Sequence, residues 1–137
     1  MARALGIDPG AARVGIAISD ELGMLAHPLE TVLSGKASAR ILELARERGV
    51  DVIVVGIARN MDGSYGTAAD KGRELAASLR AGGIRVVEWD ERLSTIQAGR
   101  ALREAGRSAK QQKDVIDQAA AQVILQAWLD AAGSGGL

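Results

Sequence analysis

The chain has no cysteine and no phenylalanine, a single histidine, and only Tyr65, Trp89 and Trp128 as aromatic residues. Absent thiols exclude disulfides, thiolate metal centres and cysteine nucleophiles together. With His27 alone, and nothing suitable around it, neither a histidine-rich metal site nor a Ser-His-Asp triad has a basis. So few rings argue against a base-stacking platform. No apolar run approaches the roughly 20 residues of a membrane span. The start, Met1-Ala2-Arg3, leads straight into a strand pattern, so no secretory leader is expected. A cytoplasmic protein with no membrane partner is expected. Charge excess is also missing: 17 Lys and Arg balance 17 Asp and Glu. That argues against binding driven by overall charge but leaves room for a local basic patch. No internal repeat is visible. The length suits one domain, predicted over 1–132, with a Gly-rich tail at 133–137.

What is present begins with Gly6-Ile7-Asp8-Pro9-Gly10, running on to Arg13-Val14-Gly15-Ile16-Ala17-Ile18-Ser19-Asp20. The first part reads as a short apolar strand ending on a carboxylate. Pro9 fixes φ and Gly10 tolerates positive φ, so a tight turn follows. In the next strand Val14, Ile16 and Ile18 alternate with Gly15, Ala17 and Ser19, giving one apolar face and one of small residues. A small face lets another element, or a substrate backbone, approach closely. Asp8 at a strand end beside that face suits a hard cation, although Asp-Pro-Gly also serves as a plain hairpin turn.

Further along, 24–33 reads as a third strand that Pro28 marks as an edge, and Ser34-Gly35 breaks it. A helix over 36–48 follows, with Ile41, Leu42, Leu44 and Ala45 at helical spacing and Gly49 as its stop. Val52-Ile53-Val54-Val55-Gly56-Ile57 is an apolar run of the kind found in a central strand covered on both faces. A polar loop leads to Thr67, which with Asp70 resembles a capping box for a helix ending at Gly82-Gly83. A strand over 84–89 completes a βαβ unit. Ser94 with Gln97 opens a short helix that Gly106 ends, and 107–113 forms a basic connector. The last helix is predicted from about Asp114 to Ala132. Its stripe of Val115, Ile116, Ala119, Ala120, Val123, Ile124, Ala127 and Trp128 faces the core. The order βββαβαβαα gives an α/β fold with a mixed five-stranded sheet.

Two more groups of acids stand at telling places. Asp90 and Glu91 close the last strand at its carboxyl end, where open α/β sheets hold ligands. Successive strand residues face opposite ways, so at most one of the two readily faces a given site. Asp114 and Asp117 lie three apart near the start of the last helix, and Asp117 borders its apolar stripe. Each has an ordinary explanation, a solvated turn for the first pair and helix-dipole stabilisation for the second. Together, carboxylates at two strand ends and one helix start could converge on one divalent-metal site. Two Mg²⁺ or Mn²⁺ ions there would bind a scissile phosphate and activate a water. Such ions prefer oxygen ligands, as suits a chain without cysteine.

These residues resemble the YqgF (RuvX) family of bacterial ribonuclease H-like nucleases, associated with Holliday-junction resolution or with maturation of ribosomal RNA precursors. The matching pieces are Gly6-Ile7-Asp8-x-Gly10 with Arg13 to Asp20, then Val55-Gly56 with Asn60-Met61-Asp62-Gly63-Ser64. Asp90-Glu91-Arg92-Leu93-Ser94-Thr95 follows, and then Asp117-Gln118-Ala119-Ala120-Ala121 with Ile124-Leu125-Gln126 and Leu129. They come in the family's order over almost the whole chain. The resemblance implies a ribonuclease H-like fold, sheet order 3-2-1-4-5 with strand two antiparallel to the rest. It implies that Asp8, Glu91 and Asp117 ligate two metal ions; the neighbouring Asp90 and Asp114 are candidates to stand behind them. Arg13 and Arg92 fall at motif positions and are expected to hold phosphate or the carboxylates. The loop carrying Asn60 and Ser64 is expected to contact the nucleic-acid backbone through N–H groups. The chain departs from the family where it has Ala11-Ala12 in place of Thr-Lys, Ala58-Arg59 in place of Leu-Pro, and Tyr65 where Glu is frequent. Those changes bear on substrate geometry more than on chemistry.

The expected activity is metal-dependent phosphodiester hydrolysis. Arg13, Arg59, Arg92, Arg107, Lys110 and Lys113 are the candidate phosphate contacts. DNA junction, single-stranded DNA and structured RNA remain open as substrates. The state is a monomer or, for a junction resolvase, a symmetric homodimer. Trp128 and Leu129 are read as core in preference to an interface. Two other readings stand beside this one. A non-catalytic nucleic-acid-binding module would use the fold without metals. An ATP-dependent phosphotransferase shares Gly-Ile-Asp-x-Gly, but needs two such domains, and no P-loop is present.

Overall fold

The computed structural model describes residues 3–58, 60, 62, 64–93 and 109–133, with the side chains of the last helix described from Ile116 to Ala132. The expected helix at 94–106 therefore lies outside the described residues, as do 134–137. Five strands form one sheet: β1 (Ala4–Pro9), β2 (Arg13–Ser19), β3 (Ala26–Leu33), β4 (Val52–Ile57) and β5 (Arg85–Asp90). Their order is β3-β2-β1-β4-β5. β2 runs antiparallel to both neighbours, while β1, β4 and β5 are mutually parallel. The α/β class, strand order and direction anticipated from the resemblance are all found.

The period-two pattern of β1 and β2 divides the core between the two faces of the sheet. Leu5, Ile7, Val14, Ile16, Ile18, Ile53, Val55 and Ile57 point to one face. There they meet Ile41, Leu44 and Ala45 of α1 (Ala37–Arg48) and Ala69, Ala76 and Leu79 of α2 (Thr67–Ala81). Ala4, Ala17, Ala26, Val52 and Val54 point to the other face, against Ala120, Ala121, Ile124, Leu125 and Leu129 of α3 (Ala109–Gly133). β4 is buried at every position, as its unbroken apolar run requires.

On that second face the strand residues are small because α3 lies almost on the backbone. A β-carbon on Gly6 would stand 2.5 Å from Leu125 Cβ, and one on Gly56 2.4 Å from Ile124 Cδ1. Real atoms do not approach so closely. A row of glutamines on α3, spaced by four, ties it to edge strand β3 and the turn before it. Gln118 Nε2 donates to Thr31 Oγ1 at 3.2 Å and Gln122 Nε2 donates to the Ala26 carbonyl at 3.0 Å. Gln126 accepts from the Ala26 N–H and donates to the Met24 carbonyl, each at 2.9 Å. The same bonds occupy backbone groups at the start of edge strand β3 that would otherwise be open to pairing.

Several local expectations are corrected. β3 starts at Ala26 instead of Met24. Residues 20–25 close a turn in which Met24 N–H donates to Asp20 Oδ1 at 2.8 Å, Asp20 N–H donates to the Leu25 carbonyl at 2.9 Å, and Gly23 takes φ 71°. Pro28 does lie in an edge strand, and the pairing slips there: Ile16 faces Glu30 but Ala17 faces Pro28. That bulge accommodates a residue without an N–H. Ser34-Gly35 forms a 3₁₀ turn, Ser34–Lys36. The Thr67/Asp70 capping box is absent. Gly66 is the N-cap of α2, no side chain caps it, and the Gly66 carbonyl accepts from Ala69 and Asp70 N–H. Asp70 is left as a first-turn acid facing the helix dipole. The supposed connector at 107–113 is helical from Ala109 onward, so Asp117 stands more than two turns inside α3. A helix-dipole role for Asp117 is thereby removed, because that effect fades beyond the first turn. The buried stripe of α3 is also rotated: Ala121, Leu125 and Leu129 are buried, while Val123 and Trp128 are half-buried against the same core.

Candidate active site

Asp8 sits at the carboxyl end of β1, the strand between β2 and β4, and is only 3% exposed. Charged groups buried to that degree are paired or coordinate cations. Alternation puts Asp8 on the same face as Gly6, the face that α3 covers. Directly across the β1–β2 ladder stands Gly15. A β-carbon on Gly15 would lie 1.9 Å from the Asp117 backbone carbonyl oxygen. The α3 backbone therefore crosses the sheet at Gly15, beside Asp8, with Asp117 at the crossing.

The Asp117 carboxylate is ion-paired, with Arg13 Nε 3.2 Å from its Oδ2, and that oxygen is closed to solvent. Arg13 opens β2 at the same end of the sheet. Sequence reasoning left Arg13 to hold either phosphate or a carboxylate; here it holds a carboxylate.

On the β5 side, alternation separates the two adjacent acids. Gly56 pairs with Trp89 and Ile57 with Asp90. Trp89 packs into the α3-side core, so Glu91, two residues on, returns to that side. Glu91 is half-buried at the start of the 3₁₀ turn Glu91–Leu93. Its Oε1 lies 3.1 Å from where a β-carbon on Gly56 would sit. Asp90 has other work. Its Oδ2 accepts from Arg92 NH2 at 2.7 Å and Nε at 3.0 Å, and its Oδ1 accepts from the Arg92 backbone N–H at 2.9 Å. That pairing raises the pKa of the Arg92 guanidinium above its usual value.

Asp8, Glu91 and Asp117 thus occupy one face and one end of the sheet. Among the described residues, however, no three His, Cys, Asp or Glu side chains are grouped closely enough to hold a metal ion as they stand. The donor chemistry fits a hard divalent cation, since carboxylate oxygens are what such ions take. Gly15 and Gly56 leave room where side chains would otherwise press on Asp117 and Glu91.

The loop after β4 is internally bonded. Asn60 N–H donates to the Ser64 carbonyl and Asn60 Nδ2 to Ser64 Oγ, both at 2.9 Å. Ser64 N–H and Oγ–H donate to Asp62 Oδ1 at 2.9 and 2.6 Å. These donors, expected to reach a nucleic-acid backbone, bond within the loop. The hydroxyl of Ser64, with its backbone N–H, lowers the Asp62 pKa, helped by the nearby charge of Arg92. Asp62 was quoted only as a motif letter, although an acid two residues before Ser64 is the pattern of an Asx turn. Gly15 has the role its small strand face suggested, admitting another element, here α3, while Gly56, seen only as a motif letter, leaves room for Glu91. Arg59 and Arg107 lie outside the described residues, and for Lys110, Lys113 and Asp114 only the helical backbone of α3 is described.

A family model described as RuvX, Holliday junction resolvase, matches residues 2–131. A protein of Acetivibrio thermocellus named as a candidate pre-16S rRNA nuclease is 44% identical over 137 residues, covering 96% of this chain and 97% of its own. Proteins of the same name from Myxococcus xanthus and Moorella thermoacetica are 46% and 43% identical, covering 94% and 98% of this chain and 88% and 99% of their own. Among solved structures, Thermus thermophilus RuvC in complex with a Holliday junction substrate superposes with a TM-score of 0.59 at 18% identity, covering 98% of this chain and 97% of that one. At that identity the likeness establishes the ribonuclease H-like fold. The match over nearly the whole chain and the 43–46% relatives establish more: this chain belongs to the RuvX family of nucleases.

Proposed function

We propose that the chain hydrolyses phosphodiester bonds in structured nucleic acid with two divalent metal ions, Mg²⁺ or Mn²⁺, held by Asp8, Glu91 and Asp117. The observation that carries this reading is the buried Asp8 opposite Gly15, with Asp117 crossing over that glycine. A carboxylate at the end of a central strand, beside a second one carried by a helix, is the oxygen donor set that a hard divalent cation takes. When bound, two such ions supply Lewis-acid activation of water and charge neutralisation at the leaving oxygen. The residues themselves have simpler tasks. Asp8 offers oxygens from the rigid sheet, Asp117 from α3, and Glu91 from the turn after β5. The three must draw closer than they stand to share ions.

Nucleic acid is the partner of this reading, and no helix among the described residues is long and apolar enough to cross a membrane. Ribosomal RNA precursor is the first substrate to test, because relatives covering nearly the whole chain carry that name. Four-way DNA junction is the second, because the family model carries that one. Arg59, Arg92, Arg107, Lys110 and Lys113 are proposed phosphate contacts. For Arg92 that role means leaving or sharing Asp90.

The test is cleavage by purified protein with Mg²⁺ or Mn²⁺ of a precursor RNA, a mobile four-way DNA junction and single-stranded DNA. Asp8→Asn is the control. Control-sensitive RNA cleavage with an inert junction makes the protein an RNA-processing enzyme, and paired symmetric nicks in the junction make it a resolvase acting as a dimer. Absence of control-sensitive cleavage in all three removes the nuclease reading and leaves a binding module.

A further inference from the structure

We propose that Arg13 is an internal counter-cation for Asp117 that an incoming divalent ion has to displace, so that Arg13 sets how tightly the site binds metal. The inference rests on the metal-dependent reading above and extends it to a residue outside the ligand set. Three observations carry it. Arg13 Nε lies 3.2 Å from Asp117 Oδ2, and that oxygen is closed to solvent. The α3 backbone cannot carry Asp117 toward the sheet to escape the guanidinium, because its carbonyl already occupies the space of a Gly15 side chain. The three carboxylates are not grouped for an ion while this pair is made.

The physics is a competition. Arg13 holds Asp117 Oδ2 by charge, with no hydrogen bond made to that oxygen among the described residues, and a divalent ion entering at the same oxygen is repelled by the guanidinium. Arg13 is a planar guanidinium on a flexible stem, so it must swing away for an ion to take its place. Its side chain is 26% exposed and Asp117's is 20% exposed, so the guanidinium has a route outward. The pair neutralises a half-buried acid in the metal-free protein, and metal affinity is lower by whatever the pair contributes. Arg13 is therefore a positioning residue: it acts on the reaction through Asp117.

The experiment measures Mn²⁺ binding to the full chain without nucleic acid, by the electron paramagnetic resonance of the free ion. Wild type is compared with Arg13→Gln, Arg13→Lys, Asp117→Asn and Asp8→Asn. A Mg²⁺ titration of ¹⁵N-labelled protein follows the Arg13 Nε–H resonance, identified by its loss in Arg13→Gln. Arg13→Gln is expected to bind Mn²⁺ about fivefold more tightly, the scale of a partly exposed ion pair. Arg13→Lys stays near wild type, Asp117→Asn weakens binding, and the Arg13 Nε–H signal moves as Mg²⁺ saturates. A purely structural Arg13 would alter stability while leaving both metal readouts unchanged. If saturable binding is lost in Asp8→Asn but unaltered or weakened in Arg13→Gln, the displacement idea is wrong and the metal reading survives. If neither wild type nor Arg13→Gln shows saturable, Asp8-dependent binding, the metal reading itself fails and takes this inference with it.

Discussion

The backbone carbonyl of Asp117 and the Cα of Gly15 are in direct contact: a β-carbon on Gly15 would stand 1.9 Å from the Asp117 oxygen. This contact sets the distance between α3 and the sheet at the point where Asp8 ends β1. Gly15→Ala is therefore expected to push α3 outward, destabilise the fold by at least about 2 kcal/mol, as overpacking does, and abolish cleavage. Gly35→Ala, where nothing lies within 4 Å of the added carbon, is the matched control and leaves both unchanged. Calorimetric Tm and nuclease activity check the two together. Equal behaviour of the two variants would show that the α3 crossing is looser than drawn.

Asp8→Asn and Asp117→Asn should each lower cleavage by roughly two orders of magnitude or more, the scale on which a single charge-stabilising group acts. The near-isosteric change keeps the packing, so far-ultraviolet circular dichroism and Tm should stay close to wild type. Asp90→Asn should lower cleavage much less, because Asp90 is engaged with Arg92 and lies on the alternate side of β5 from Glu91. A collapse of activity in Asp90→Asn equal to that in Asp8→Asn would reverse the assignment of the two neighbouring acids.

The glutamine row on α3 makes a separate prediction about stability. Gln126→Ala removes partners from the Ala26 N–H and the Met24 carbonyl. At about 1 kcal/mol per hydrogen bond, urea unfolding should show a loss of about 1–2 kcal/mol. Because Gln126 lies more than two turns from Asp117 along α3, the metal dependence of cleavage should be unaltered. A shift in the Mn²⁺ concentration needed for activity would show that the row also sets the position of Asp117.

Glu30 gives a pH prediction with a definite sign. The side-chain hydrogen bond from Arg40 lowers its pKa from the ordinary value of 4.5. Arg40 Nε donates to Glu30 Oε2 at 2.8 Å and NH2 donates to Oε1 at 2.9 Å. With the folded pKa below the unfolded one, the stabilisation is complete above about pH 4.5 and is lost as pH falls through the folded value. Glu30→Gln should cost up to about 1 kcal/mol at pH 7, since both side chains are partly exposed. The gap between variant and wild type should close below pH 4.5. A gap that persists into acid would mean that packing, not charge, holds β3 to α1.

Much of this protein is decided by local chemistry that a reader of the sequence can follow. Alternation of Val14, Ile16 and Ile18 with Gly15, Ala17 and Ser19 dictates a two-faced strand. The unbroken run Val52–Ile57 dictates a strand covered on both sides. Gly49 in the left-handed region at φ 64° stops α1 as its position suggests. Two local signals misled. Thr67 looks like a cap, but Gly66 takes that place and no side chain caps the helix. The polar stretch from Ala109 looks like a connector, yet it is the start of α3.

The site divides in the same way. Asp8, Glu91 and Asp117 are named by their motif positions, and strand alternation already says that Asp90 and Glu91 cannot both face one place. Which of the two turns toward α3 is decided only by pairing: Gly56 meets Trp89, so the α3 face returns at Glu91. That Arg13 takes Asp117 is likewise a matter of tertiary placement, whereas Arg92 takes Asp90 two residues away in its own turn. A side chain's charge is written in the sequence, but the partner that neutralises it is fixed by distance, and distance exists only once α3 has been laid across Gly15.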